Sequence, residues 1–450
     1  MVIGGGAAGE AAGSLGGELG LDVVLVEREL VGGECAFWAC MPSKALLDSA
    51  SRRAIGADYP WRRASARRDW MISREGTDRS SDGSHVRALE DSGATFIRGS
   101  ARIAGPGRVE ISVAGRPLKI HETRSIIIAS GSVPFIPEVD GLEEAGYWTN
   151  REATSVRELP SSIAIVGGGP VGVEIAQIYT RFGVEVHLIE KYPRIMIKDH
   201  PRSAQTLDMR LKEEGVTIYN DTTAIAVRRG GKGRIVELAD GRKVEAAELL
   251  IAVGRVPDMK GLGLEELGIE LIDGKRPPRS DSAMSIGPGV YVAGDAAGGL
   301  QFTHVADYQG RIAVMNAAGT VTSADLSAVP RTTFTDPETS AVGLTVDEAR
   351  AQGLDVFEIS QDFAATARGQ SIEGSSGHVS AVVDADRGLL VGAFAACPGA
   401  SEMIMEAVLA IKQSIPVHVL ADAIHPFPTA SRVFGNVMSQ AVKRLNRSSS

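Results

Sequence analysis

Cys35 and Cys40 stand with four residues between them in the run Gly32-Gly33-Glu34-Cys35-Ala36-Phe37-Trp38-Ala39-Cys40-Met41-Pro42-Ser43-Lys44. They are two of the three cysteines in a chain of 450 residues. Paired thiols exchange electrons by making and breaking a sulfur–sulfur bond. A bond here would close a loop so short that chain entropy assigns it roughly 2 kcal/mol, against about 3 for a 15-residue loop. That is a poor staple and a plausible redox switch. The other residues with chemistry in their spacing are glycines: Gly4, Gly6 and Gly9 near the start, and Gly167, Gly169 and Gly172 further on.

Each glycine triplet fits G-x-G-x-x-G. The first glycine permits a tight turn, the second lets backbone approach a pyrophosphate, and the third allows close helix–strand packing. Phosphates then rest on a helix N-terminus, where orphan N–H groups and the dipole favour anions. The flanking elements agree. Val2-Ile3 leads into the first loop, an Ala/Gly-rich helix follows, and Val23 to Glu27 reads as the next strand. Ile163 to Val166, a helix through Phe182 and Val184 to Glu190 repeat the unit. Glu27 and Glu190 close their strands where an acid binds a ribose hydroxyl. Two copies imply two dinucleotides. A carboxylate at Glu190 repels a 2′-phosphate and favours NADH over NADPH, with Lys191 and Arg194 pulling the other way.

The remaining organisation is that of a multidomain protein. Short continuous apolar runs, as parallel strands covered on both faces have, recur at Ile126 to Ile128, Leu249 to Val253 and Val290 to Ala293. Each ends in glycine or a tight turn. Strand 1 is short at its start, so a few preceding residues are expected to be missing. From Pro330 onward strands at Val379 to Val383 and Leu389 to Phe394 alternate with helices at Glu402 to Lys412 and His418 to Ala423, an α+β pattern. Net charge of −9 argues against nucleic acid as partner, and the arginine-rich run Trp61 to Arg68 reads as a solvated face. No stretch has the 18 or more apolar residues of a membrane span, no signal peptide is visible, and the few cysteines point to a reducing cytoplasm.

Taken together these features resemble the flavoprotein pyridine nucleotide-disulfide oxidoreductases, which include lipoamide dehydrogenase, glutathione reductase and mercuric reductase. The resemblance rests on both glycine loops, the C-x4-C-x-P-S-K segment and Ala129-Ser130-Gly131. It also takes in Ala252-Val253-Gly254-Arg255, Ala293-Gly294-Asp295 and Phe334-Thr335-Asp336-Pro337-Glu338. It implies an α/β fold of two Rossmann-like domains plus a C-terminal α+β dimerisation domain, assembled as a homodimer. FAD would be held by 1–148 and 259–328, NAD(P)H by 149–258, and the interface would be 329–450. It further implies that Gly33, Lys44, Gly131, Asp295 and His304 face the flavin, with Asp295 on its ribityl chain. Gly254 would lie with the nicotinamide cofactor. Cys40 would be the flavin-facing thiolate, Cys35 the sulfur that meets the acceptor, and Lys44–Glu174 an ion pair beside the ring. A helix start and Lys44 would lower the thiol pKa.

The pattern breaks near the end. The family's His-Pro-Thr-x-x-Glu acid–base segment corresponds to Ile424-His425-Pro426-Phe427-Pro428-Thr429-Ala430-Ser431-Arg432. Phe427 stands where the catalytic histidine belongs and Arg432 replaces the glutamate. His425, about 6.5 Å away along an extended chain, is a substitute acid or a structural histidine. Losing a positioned acid typically costs on the order of 10²–10⁴ in rate. The expected activity is therefore transfer of electrons from NAD(P)H through FAD and Cys35–Cys40 to a small-molecule acceptor that needs little acid help, such as an activated disulfide, a quinone or a metal ion. A dihydrolipoamide dehydrogenase using His425 and a slow flavin-bound redox sensor are the alternatives. Phe37 and Trp38 imply a more apolar approach or a dimer contact, and Cys397 reads as a buried core thiol.

Overall fold

A computed structural model describes residues 1–73, 80–231 and 233–448. The apolar runs become two parallel sheets. The first has six strands in the order Ser285–Gly287, Val290–Val292, Ile126–Ile128, Val2–Ile3, Val24–Glu27 and Thr95–Arg98. All pair in parallel except the first two. The chain runs outward from Val2–Ile3 in one direction, then returns to its other side. Such a reversal opens a crevice at the strand's C-terminal end, where Gly4 lies. The second sheet, in the order Thr217–Tyr219, Glu185–Ile189, Ser162–Val166 and Glu248–Ile251, reverses in the same way at Ser162–Val166 and Gly167. Buried Ile126 to Ile128 and Ile163 to Val166 explain the unbroken hydrophobicity of these runs.

Two antiparallel meanders fill positions where the sequence offers little periodicity: Ser100–Gly105, Arg108–Ser112 and Lys119–Glu122 in the first unit, and Ala224–Gly230, Gly233–Leu238 and Lys243–Ala246 in the second. A two-stranded ribbon, Ser132–Pro134 with Arg255–Pro257, ties together the segments that enter and leave the second unit. The boundary expected at 149 shifts earlier. Leu142 and Ala145, with Ile136, Val139 and Tyr147, pack into the core of the second unit beside Ala164, Val166 and Ile251. Arg68 also departs from expectation. It is buried rather than solvated, bonded to Asp69 and the carbonyl of Thr154.

The last third forms a five-stranded antiparallel sheet: Arg331–Thr333, Thr339–Gly343, Leu389–Ala396, His378–Asp384 and Val356–Asp362. Helices Ala400–Lys412 and Ala430–Ser448 help cover one face, where Met403, Ile404, Phe434 and Met438 join Val379 and Ala395. On the other, Phe394 and Val382 meet Ala349 of the helix Val346–Ala351. With both faces covered, His378–Asp384 is buried along its whole length. Among the described residues no helix is long and apolar enough to cross a membrane.

Candidate active site

Both glycine loops show the same division of labour. A Cβ on Gly4 would lie 2.3 Å from the carbonyl oxygen of Ala129, and one on Gly167 2.4 Å from that of Ala252. On Gly9 and Gly172 it would come within 1.9 Å of the Gly4 and Gly167 oxygens. Gly6 and Gly169, at the N-caps of Ala7–Glu18 and Pro170–Arg181, face open space. The outer glycines therefore let chain elements touch, while the middle ones leave a bare helix start. Gly33 abuts Gly6, whereas Gly131 and Gly254 have nothing near their open faces.

One cleft of about 2260 Å³ runs past both loops and is lined by Cys35, Cys40, Lys44, Glu174, Asp295 and His304 among others. Single-ligand pockets are roughly 300–1,000 Å³, so the volume suits two dinucleotides. The acids at the strand ends are engaged alike. Glu27 accepts from the N–H groups of Gly5 (2.7 Å) and Glu29 (2.6 Å), and Glu190 from those of Gly168 (2.6 Å) and Tyr192 (2.8 Å). A carboxylate offers about four lone-pair sites, so each retains capacity for a ribose hydroxyl. Arg194, expected to favour a 2′-phosphate, instead donates to the carbonyls of Ile195, Met196, Ile197 and Asp199.

Cys40 opens the helix Cys40–Ala54, and its sulfur lies 3.3 Å from Oγ1 of Thr303, the first residue of Thr303–Ala317. Two helix starts thus converge on one sulfur. Both Cys35 and Cys40 are free thiols here, hydrogen-bonded to each other. That bond pushes the pair apart electrostatically. Cys40 is held down at about 6, first by the hydrogen bond from Cys35, with burial opposing and Thr303 and Lys44 assisting. Cys35 is pushed well above the usual thiol range by the same bond, by burial and by the neighbouring sulfur. Lys44 therefore contributes less than its expected role, and Cys35 is the leading cause. Lys44 Nζ sits 3.0 and 2.8 Å from the oxygens of Glu174, whose Oε1 also accepts from the backbone N–H of Phe334. Asp295 accepts from Ser132 Oγ at 2.5 Å. Cys397 is fully buried, and desolvation pushes its thiol up to about 12.

Matches to protein-family models cover nearly the whole chain: residues 1–310 fit the model described as pyridine nucleotide-disulphide oxidoreductase, and 329–438 fit that family's dimerisation domain. The chain belongs to this family. Its relatives include a dihydrolipoyl dehydrogenase of Thermus scotoductus, 34% identical with 99% of both chains covered. A mercuric reductase of Staphylococcus aureus is 28% identical over 95% of this chain and 80% of its own. LpdA from Mycobacterium tuberculosis superimposes with a TM-score of 0.88 at 28% identity, covering 98% of each chain. As a pyridine nucleotide-disulphide oxidoreductase the protein is an enzyme that uses FAD and NAD(P)H. The bare helix starts at Gly6 and Gly169, the acids beyond them and the size of the cleft fit those two cofactors.

His425, His304 and the two aromatics between the cysteines all find partners within their own chain. His425 does not line the cleft of its own chain. Its ring is 6% exposed, Nε2 meets Glu406 at 3.0 and 3.1 Å, and Nδ1 faces Gly435, where a Cβ would come within 2.6 Å. The structural alternative is the one this packing matches. His304 is exposed, stacked on Phe302 with Nε2 2.8 Å from the carbonyl of Pro330. Phe37 is buried against Trp38 and His85, and Trp38 lies under the guanidinium of Arg151 at 4.0 Å, so both aromatics pack within their own chain. Thr303 lies in the segment Thr303-His304-Val305, which resembles the family's helix start beneath the flavin, whereas Arg151 bears directly on the redox loop and carries no sequence motif of its own. Trp38, an aromatic between two redox cysteines, is the one local sign of the latter.

Proposed function

We propose that this enzyme, as a homodimer in a reducing compartment, takes electrons from NADH and delivers them through Cys35 and Cys40 to an acceptor that needs no positioned acid. Activated disulfides with low-pKa thiol products, quinones and thiophilic metal ions meet that requirement. What supports this reading is Cys40 held by Thr303 next to the Lys44–Glu174 pair, together with a tail in which Phe427 and Arg432 stand in place of the family's histidine and glutamate. Bound FAD supplies the two-electron relay between nicotinamide and sulfur.

The chain's own residues divide the rest of the work. Glu190 accepts ribose hydroxyls and Arg194 is spent on carbonyls, which supports NADH, while Lys191 at the rim of the cleft remains to attract a 2′-phosphate. Glu174 fixes Lys44 beside the redox helix. In the reduced pair Cys40 carries the negative charge, favoured by the Cys35 thiol, by Thr303 and by the helix start. Cys35 holds the proton. The base in contact with that proton is the Cys40 sulfur, so moving it along the Cys35–Cys40 hydrogen bond exposes a Cys35 thiolate to the acceptor. With a disulfide acceptor, Cys35 attacks one sulfur and expels a thiolate. Cys40, passing the proton it received to that expelled thiolate, then attacks Cys35, re-forms the internal bond and releases the second half of the acceptor as a thiolate. Two electrons leave the pair, and no other protein acid is required when the products are stable as thiolates.

The 34% identity to a dihydrolipoyl dehydrogenase favours the second reading, lipoamide as acceptor with His425 as acid. Steady-state oxidation of NADH and NADPH against an aromatic disulfide, a quinone, Hg(II) and lipoamide separates the two. The expected result is NADH-linked turnover with one of the first three and about 10²-fold slower use of lipoamide. Brisk lipoamide reduction that His425→Ala abolishes would replace the proposal with the second reading.

A further inference from the structure

The helix that bears Cys35 is Gly33–Phe37, only five residues long, and it breaks at Trp38 and Ala39 before the next helix begins at Cys40. A five-residue helix has no appreciable stability of its own. Something else must fix the register that puts one sulfur against the other. Phe37 anchors its end against His85 of the first unit, and the grip on its start and on Trp38 comes from the second nucleotide unit. There the helix Asn150–Ser155 starts in a capping box between Thr149 and Glu152 and presents its first turn to the redox loop.

Arg151 is spent wholly on that loop and its approach. Nε lies 2.6 Å from Glu34 Oε1, while Nη1 and Nη2 meet the two oxygens of Glu29 at 2.8 and 3.0 Å. The flat face of the guanidinium covers the Trp38 ring at 4.0 Å. Asn150 reinforces the hold, donating to Glu34 Oε2 at 3.0 Å and to the Trp38 carbonyl at 2.9 Å; Thr154 Oγ1 reaches the same carbonyl at 3.2 Å. The residue before Cys35 and the aromatic between the cysteines are both held from outside. An isolated exposed ion pair contributes about 0–1 kcal/mol, but a forked guanidinium that pairs two carboxylates and stacks on indole fixes direction as well as distance.

We propose that Arg151 is a positioning residue for the redox pair, gripping Glu34 and Trp38 so that the short helix keeps the Cys35 sulfur on Cys40. The inference rests on Cys35 and Cys40 being the redox centre. Its consequence is electrostatic. The groups that face the Cys40 sulfur are Cys35, Thr303, Lys44 and Glu174, and Cys35 is the strongest of them. A loop that drifts weakens the hydrogen bond on which the Cys40 thiolate most depends.

The test is the pH dependence of iodoacetamide alkylation of the reduced, FAD-bound protein, mapped to each cysteine by peptide mass spectrometry. In the parent protein Cys40 should become reactive as pH rises through about 6, since the thiolate is the nucleophile. In Arg151→Ala that midpoint should move up by about one pH unit, lowering Cys40 alkylation at pH 6 about fivefold. Arg151→Lys keeps the charge without the fork and should fall between the two, which also decides the matter should the alanine variant not fold. A folded variant that melts at lower temperature but keeps the parent midpoint would show Arg151 to be an ordinary structural pair and overturn the proposal. The redox reading has its own control. NADH must convert the oxidised parent to a form with two new alkylatable thiols at Cys35 and Cys40, and if it does not, that reading fails whatever Arg151 does.

Discussion

In the proposed reaction residues 35–44 carry the electrons and residues 425–432 stand where the family's acid–base segment would, and the two differ sharply in completeness. In the first segment both sulfurs, Thr303, Lys44 and Glu174 are gathered at a single cleft, with Cys40 on Thr303 and Lys44 on Glu174. In the second, Phe427 is 74% exposed, Arg432 is exposed, and the histidine two places earlier is turned into its own domain against Glu406. On the proposed reading electrons and protons are handled by different parts of this fold, and the acceptor is one that asks little of the second.

The sharpest way to break the comparison is to remove the sulfur on which the complete half depends. Cys40→Ser should reduce NADH-driven reduction of an aromatic disulfide by at least about 10³-fold, the scale seen when an essential nucleophile is removed. It should also abolish the long-wavelength absorption of the reduced, FAD-bound enzyme. Retained disulfide turnover in a variant that still binds FAD would show that electrons bypass the pair, and the two segments would then no longer belong to one reaction.

Rebuilding the incomplete half tests the same contrast from the other side. Phe427→His with Arg432→Glu should raise lipoamide reduction by about 10²-fold, toward the contribution of a positioned acid, while turnover with a quinone stays within about twofold of the parent. Kinetics with both acceptors on the double variant decide this. An unchanged lipoamide rate would mean that the aromatic and the arginine are not what limits it.

Much of this contrast was legible in the chain because its parts are local. Gly9 and Gly172 sit where any side chain would strike a carbonyl oxygen at 1.9 Å, a demand that only glycine meets and that therefore shows in composition at fixed offsets. The C-x4-C segment and the altered tail are likewise continuous in sequence. What was not legible depends on contacts between distant segments. Arg151 is an ordinary helix residue until the fold lays it on Trp38 and Glu34. His425 changed meaning once Glu406 and Gly435 enclosed it. Residues 136–148 carry no mark of the unit they join, since their apolar side chains suit either core. The helix Ala430–Ser448 shows a narrow stripe, Val433, Phe434, Val437, Met438 and Ala441, among a polar majority that hides it. The two meanders alternate weakly and each pairs mainly within itself, so their strands gain identity from register rather than from composition.

The smallest effect concerns the acids that both nucleotide units share. Glu190 is tied to the N–H groups of Gly168 and Tyr192 and is 7% exposed. Replacing it with alanine would therefore disturb the loop as well as the charge, and the two effects would be confounded. Glu190→Gln keeps nearly the same shape and one of the two acceptor oxygens, losing the negative charge and one of the two backbone bonds. A hydrogen bond to a charged group contributes about 1.5–3 kcal/mol, of which the amide retains part. The ratio of kcat/KM for NADH to that for NADPH should accordingly fall about tenfold, with weaker NADH binding and relief of repulsion toward a 2′-phosphate both contributing. Glu27→Gln, the same change in the first unit, should leave that ratio untouched. If the two variants behaved alike, the acids would serve loop geometry in both units, and the preference for NADH would have to come from elsewhere in the cleft.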